Sequence, residues 1–185
     1  MPPKAKFTQK EIIKKAWDLV REQGIEGLSA RELGKVLGSS PRPIFTVFEG
    51  MDEVKDAIKS QAITTYDKYI QAGLGQDNAL EGMAMAHIIF AMKEPRLFEF
   101  LFENKENTEL YKQLCPLESE SYQAAAKRLM TKHNITEEKC KTVSKNIWLY
   151  AHGIATLVAG GREELDGEQI GKMIRDVFKM EIQGK

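Results

Sequence analysis

Arg42 stands between two prolines, in Pro41-Arg42-Pro43. A guanidinium offers paired N–H donors that match guanine O6 and N7, so an arginine held on a stiff backbone is a base-reading group. Its surroundings suit the same task. Ser39, Ser40 and Thr46 carry hydroxyls that can donate to phosphates or base edges, and Pro41 and Pro43 are apolar faces for a thymine methyl. Arg31 is a second candidate reader, and Ser29 and Lys55, each near an expected helix start, are candidates for phosphate. The first fifteen residues add Lys4, Lys6, Lys10, Lys14 and Lys15 against Glu11 alone, a basic arm able to displace counterions from a polyanion.

These groups need a scaffold, and the chain from Phe7 to Phe48 supplies one. Thr8 and Glu11 are spaced as a capping box, and Phe7 and Ile12 as a hydrophobic staple, so a helix opens there. Ile13, Ala16, Trp17 and Val20 recur at helical spacing, and Gly24 ends the run. Ser29 with Glu32 repeats the capping box, and Leu28 with Leu33 repeats the staple. Leu33, Val36 and Leu37 give the second helix an apolar face, and Gly38 stops it. Ile44, Phe45 and Phe48 anchor a third short helix, whose start Pro43 delays by disfavouring helical backbone at Arg42. Three short helices with a tight glycine turn between the last two make a helix-turn-helix, whose last helix can lie in a DNA major groove.

The rest of the chain is helical in pattern. A helix is expected from 51 to about 72, ended by Gly73-Leu74-Gly75. The next is opened by Asp77 or Asn78 and broken at Pro95, and a short aromatic helix with proline first covers 95–102. A turn or two over 108–114 precedes a helix over 117–132, ended by His133-Asn134. Thr136 opens a long helix that Gly160-Gly161 ends, and Asp166 or Gly167 opens the last. The expected fold class is all-α, about nine helices and no strand. Trp148 and His152 lie four apart and share a helix face, and Gly153 would let a neighbouring helix pack closely.

Composition narrows the functions. Lys plus Arg balance Asp plus Glu at 27 each, so no global basic field draws the chain to nucleic acid; residues 1–60, with eleven basic and nine acidic residues, hold a slight excess. No apolar run approaches bilayer length, and the first ten residues lack the apolar stretch of a signal peptide. Cys115 and Cys140 show no metal-ligand spacing and read as reduced thiols in a cytoplasmic protein. His87, His133 and His152 are not spaced as a metal site, and no P-loop, G-x-S-x-G or dinucleotide fingerprint is present. The chain reads as a non-enzyme without cofactor or metal.

The segment from Phe7 to about Ile58 resembles the N-terminal domain of the TetR family of bacterial transcriptional regulators. The resemblance lies in the order of an Ile/Ala/Trp helix, then EQGIEGLSARELGKVLGSS, then IFTVF, then EGMDEVKDAI. Departures are visible in the same stretch. Phe45 stands where the family often has a phosphate-touching Tyr, Val47 replaces a common His, and Met51 stands where a Lys is frequent. The motif Trp148-Leu149-Tyr150-Ala151-His152-Gly153 resembles the W-x-x-x-H-G signature of one C-terminal subgroup.

The resemblance implies a DNA-binding domain over 1–50 and a ligand-binding and dimerisation domain over 51–185. It implies a homodimer joined through about 137–160 and 166–182, bound to double-stranded DNA at a palindromic operator. It also makes a small, largely apolar effector the occupant of an interior lined by Met83, His87, Phe90, Phe98, Phe102, Tyr122, Trp148 and His152, with Met85 and Met92 nearby. The same residues at the same spacing make an ordinary apolar core. The expected function is a repressor released from its operator by that effector. The alternative is a helical small-molecule-binding or interaction protein whose sequence-specific DNA binding is weakened or lost, with Phe45, Val47, Met51 and the near-neutral head in its favour.

Overall fold

The computed structural model describes residues 6–104, 110 and 113–184, apart from the side chain of Glu118. Among them are eight α-helices and no strand. They are α1 (Gln9–Gln23), α2 (Ala30–Val36), α3 (Met51–Leu74), α4 (Ala79–Lys93), α5 (Pro95–Phe98), α6 (Glu120–His133), α7 (Glu137–Ala159) and α8 (Gly167–Gln183). The all-α expectation agrees with this architecture.

Most helix starts follow local grammar. Thr8 and Glu11 form the full capping box of α1. Asn78 caps α4 and Thr136 caps α7, while Asp166 and Gln169 form a second full box on α8. The box expected at α2 is only half made. Ser29 accepts from the Glu32 amide at 3.2 Å, but the Glu32 carboxylate turns to Lys35 at 2.6 Å instead of reaching back. The helix expected over 117–132 begins later, because Pro116–Glu118 forms a separate 3-10 turn and the extended Ser119 caps Glu120–His133. Of the turn expected over 108–114, Thr108 and its neighbours lie outside the described residues, while Gln113 and Leu114 are helical. Pro95 does open a short helix, and the chain then widens into a π-helical turn, Glu99–Glu103.

One expected helix does not form. The third helix of the head is a single 3-10 turn, Ile44–Thr46. Pro43 disfavours helical backbone at Arg42, and Gly50 is already extended as the cap of α3. Too few residues lie between them to nucleate an α-helix, and successive three-residue hydrogen bonds take over: Ile44 N to Pro41 O at 3.0 Å, Thr46 N to Pro43 O at 3.3 Å and Val47 N to Ile44 O at 3.1 Å.

A continuous apolar core runs through the molecule. Ile12, Ala16, Val20, Leu33, Ile44 and Phe48 hold the head together, and Val54 and Ile58 of α3 join them to the larger helical body. There α4 is central, packed between α3 and α7, and it buries residues around its circumference, from Leu80 and Met83 to His87 and Phe90. Helix α1 also packs on α5, and its Arg21 forms a bidentate pair with Glu94 at the end of α4, at 2.6 and 2.7 Å. No helix among the described residues is long and apolar enough to cross a membrane.

Candidate functional site

The head's surface is shaped by its backbone. Gly38 takes φ +64°, a conformation that side chains rarely adopt, and so reverses the chain after α2. Gly34 is buried beneath that turn. A Cβ there would lie 3.0 Å from Ser39 O and 3.1 Å from Pro41 N, so α2 and the turn approach this closely only because residue 34 lacks one. The Ser39 amide closes the turn on Gly34 O at 2.9 Å. The sequence reading passed over Gly34, although a glycine inside a seven-residue helix is itself the signal of a close approach.

On this frame Ser29, Arg31, Ser40, Arg42, Phe45, Thr46 and Lys55 are exposed, while Ser39, Pro41 and Pro43 are half-buried. Ile44 and Phe48 point inward. Phe45, between them, leaves 46% of its surface in solvent, an apolar ring where a polar group would be expected on a DNA-facing surface. Two hydroxyls are already engaged. Thr46 donates to Pro43 O at 2.7 Å, and Ser39 Oγ accepts from Lys6 Nζ at 3.2 Å, which ties the basic arm to the turn. Ser29 caps α2. Lys4 lies outside the described residues. Val47 and Met51 pack against the core and do not stand free in solvent. Arg42 is therefore the exposed cation of the turn segment, held between two half-buried prolines.

In the body, His87 is fully buried at the centre of a cluster of rings. Tyr66 Oη lies 3.0 Å from His87 Nδ1, and His87 Nε2 lies 3.1 Å from His152 Nδ1. One hydrogen can occupy each gap. With Tyr66 donating, His87 carries its proton on Nε2 and passes it toward His152, and the whole chain is satisfied with both imidazoles neutral. Burial pushes the His87 pKa well below its ordinary value, and the neighbouring His152 adds to that; burial also lowers His152, against a smaller opposing pull from Glu103. Trp148, Phe102 and Phe98 surround His87 with ring centroids at 4.3, 5.1 and 5.4 Å. Trp148 and His152, four residues apart, stack with centroids 6.2 Å apart.

Five of the eight candidate ligand residues thus meet: His87, Phe98, Phe102, Trp148 and His152. Phe90 joins through Tyr66, at 5.1 Å. Met83 is buried on α4 outside the ring contacts. Tyr122 sits apart, on α6, where its hydroxyl bonds Ser144 of α7. The rings contact one another edge to face and in tilted stacks. One polar atom within it is unmatched: Trp148 Nε1 is buried without an acceptor among the described residues. Sequence reasoning missed Tyr66, which a run of apolar residues every four positions (Val54, Ile58, Ala62, Tyr66, Ile70, Leu74) would have revealed.

Helices α7 and α8 keep apolar groups in solvent. Leu149, Leu157 and Met180 are 52%, 39% and 54% exposed. Gly153, expected to seat a neighbouring helix, has nothing among the described residues within 4 Å of where a Cβ would stand, so no described helix uses the gap.

No protein-family model matches the chain. A curated protein of Bacillus subtilis (strain 168), YobS, described as an uncharacterised HTH-type transcriptional regulator, is 21% identical over 165 residues, covering 86% of this chain and 83% of that one. Two solved structures share the whole architecture. A TetR-like transcriptional regulator from Rhodococcus sp. RHA1 superposes with TM-score 0.65 at 14% identity, covering 100% of both chains. A regulator of the TetR/AcrR family from Thermobifida fusca YX-ER1 superposes with TM-score 0.62 at 13% identity, covering 95% of this chain and 96% of that one. The fold is the TetR-like fold. It places a short head, with a 3-10 turn after α2, on a larger helical body.

Proposed function

We propose that the chain is a homodimeric, DNA-binding transcriptional regulator, a repressor released from a palindromic operator by a small, largely apolar effector. The observation that carries this reading is the Gly34–Gly38 turn, which presents Arg42 on a head joined to a complete TetR-like body. In this reading residues 1–50 form the DNA-binding domain and 51–185 the effector and dimer domain, within a cytoplasmic bacterial protein. Arg42 reads a base edge, with Pro41, Pro43 and Phe45 making apolar contacts. Arg31, Ser39, Ser40, Thr46, Ser29, Lys55, Lys4 and Lys6 serve the backbone or flanking bases.

The solvent-facing Leu149, Leu157 and Met180 support a second copy packing on α7 and α8. A two-fold dimer would set its two heads one DNA turn apart, roughly 34–36 Å. The effector's place is the ring cluster around His87, in keeping with the W-x-x-x-H-G subgroup resemblance. The unmatched Trp148 Nε1 favours an occupant bearing an acceptor. An effector that binds better to a dimer whose heads misfit the operator would release DNA, and by reciprocity operator DNA would weaken effector binding by the same factor.

Selection of bound duplexes from random DNA, followed by a salt titration, tests this. A palindromic consensus with a steep negative salt slope is the expected outcome. The second reading, a ligand-binding or interaction protein with weakened DNA binding, is favoured by the reduction of the third helix to one turn and by the exposed Phe45. Absence of any selected sequence, with no binding at low salt, would establish it.

A further inference from the structure

A cleft between α6 and the N-terminal half of α7 lies apart from the ring cluster; it shares only Tyr122 with the effector residues assigned above, and its α7 wall precedes the exposed Leu149 and Leu157 of the proposed dimer face. Its volume is ≈ 580 Å³, within the range of sites that hold small organic molecules. Leu117, Ala126 and Met130 give it an apolar wall. Its inner end is polar and buried: Ser144, 1% exposed, meets the hydroxyl of Tyr122.

The hydroxyls at that end are short of acceptors. Burial pushes the Tyr122 pKa up to about 12, so the phenol keeps its proton near neutrality. Two hydroxyl hydrogens are then present, and the bond between Tyr122 and Ser144 uses one. The nearby Cys140 thiol is directed at Ala126 O, 3.9 Å away, and its sulfur is a weak acceptor. Tyr122 also bonds the Cys140 thiol, so the second hydrogen meets sulfur, and among the described residues no oxygen accepts it. A buried O–H left to so weak an acceptor is poorly satisfied, and an oxygen entering the cleft would serve it better.

The rim says which charge that occupant carries. Lys127, Lys141 and Lys145 line the cleft, and among the described residues Glu137 is its single carboxylate. Glu137 pairs with Lys141 at 2.6 Å and its pKa is lowered by that partner, so this acid is ionised and engaged. Lys127 and Lys145 remain as exposed cations that no carboxylate of the lining balances.

We infer that this cleft binds a small organic anion with an apolar body. Its anionic end accepts from Ser144 beneath the field of Lys127 and Lys145, and its body lies along Leu117, Ala126 and Met130. The site goes beyond the effector reading given above, and its occupancy does not depend on the chain's binding DNA.

The test is calorimetric titration of the full chain at neutral pH with octanoate, and with octanol and octylamine as neutral and cationic molecules of the same length. Octanoate is expected to bind one per chain, at least tenfold more tightly than octanol, with octylamine weakest. Ser144→Ala should weaken octanoate about tenfold and leave octanol unchanged. The surface variant Lys127→Gln/Lys145→Gln, which leaves the core untouched, should weaken octanoate several-fold and flatten its salt dependence. Equal binding of octanoate and octanol would overturn the assignment, as would octanoate binding that neither variant changes. DNA is absent from every arm, so failure of the regulator reading leaves these outcomes as they stand.

Discussion

Residues 38–48 put Arg42 and Phe45 into solvent, whereas the cluster around His87 takes one imidazole, a phenol and an indole out of it and half-buries a second imidazole, His152. The two regions are held by different means. The head segment owes its shape to backbone restriction: a glycine at φ +64°, two prolines, and a turn pressed onto Gly34. Of its side chains Ile44, Val47 and Phe48 pack inward, while Ser40, Arg42 and Phe45 stand in solvent. The interior owes its shape to mutual burial, and Tyr66, His87 and His152 are tolerated there because each bonds the next. Changes in the first region should therefore alter binding with little loss of stability, and changes in the second should do the reverse.

The largest effect should come from the interior. Phe98 is fully buried against His87 and Phe102. Phe98→Ala removes a ring from a packed site and should destabilise the protein by about 3–5 kcal/mol, read as a lower urea midpoint. A loss below about 1 kcal/mol would mean that the cluster relaxes freely, and the contrast with the head would be gone.

Acid should separate the regions next. Burial holds His87 and His152 below the ordinary value of 6.5, so the folded chain binds fewer protons than the unfolded one as pH falls. Their contribution is full above pH 6.5 and is lost as the pH drops below it toward the lowered folded values. For the fully buried His87 the slope is roughly 1 kcal/mol per pH unit, and the more exposed His152 adds a smaller, screened part. Glu11 and Glu137 are shifted down from 4.5 and lose their contribution only in stronger acid, so the first unit below 6.5 belongs to the imidazoles. Stability measured by urea at a series of pH values should fall there. A flat profile would break the picture of a neutral, fully buried His87 bonded to a half-buried partner.

The same contrast explains what was legible beforehand. Caps, staples and glycine stops are written within four or five residues, and Thr8-Glu11, Asn78, Thr136 and Asp166 all act where their types and spacing place them. Arg42 was legible for the same reason, since exposure and proline neighbours are local facts. The third helix was not, because three-residue winding is the outcome of a competition between apolar anchors, which favour a helix, and Pro43 with Gly50, which shorten it. The Tyr66–His87–His152 chain joins α3, α4 and α7, and only the packing of those helices decides that the three polar atoms face one another. The Arg21–Glu94 pair, 73 residues apart in sequence, belongs to the same class.

In the head, Arg42→Ala should lower specific DNA affinity by about 1–3 kcal/mol and relax the base preference, while changing stability by no more than about 0.5 kcal/mol. The first is read by binding across operator variants, the second by urea unfolding. An unchanged profile across variants would remove Arg42 as a reader and leave the head a scaffold without one. A large stability loss would instead show that the turn depends on its side chains after all.

The smallest effect is expected where the two regions meet. Arg21 of α1 and Glu94 at the end of α4 make two short hydrogen bonds, but the arginine side chain is 46% exposed and the glutamate 12%. Solvent on the arginine side screens the attraction, and ordering a long side chain opposes it, so a double-mutant cycle with Arg21→Gln and Glu94→Gln should give a coupling below about 1 kcal/mol. The bidentate geometry and the better-buried carboxylate push the value toward the upper end of that range. A coupling this weak would leave the head movable against the body, as the proposed effector-driven change of head spacing needs. A coupling well above 2 kcal/mol would make head and body one stiff unit. On the proposed reading, release of DNA would then have to proceed through the proposed dimer contacts of α7 and α8 and not through this junction, an alternative that operator binding by the double variant would distinguish.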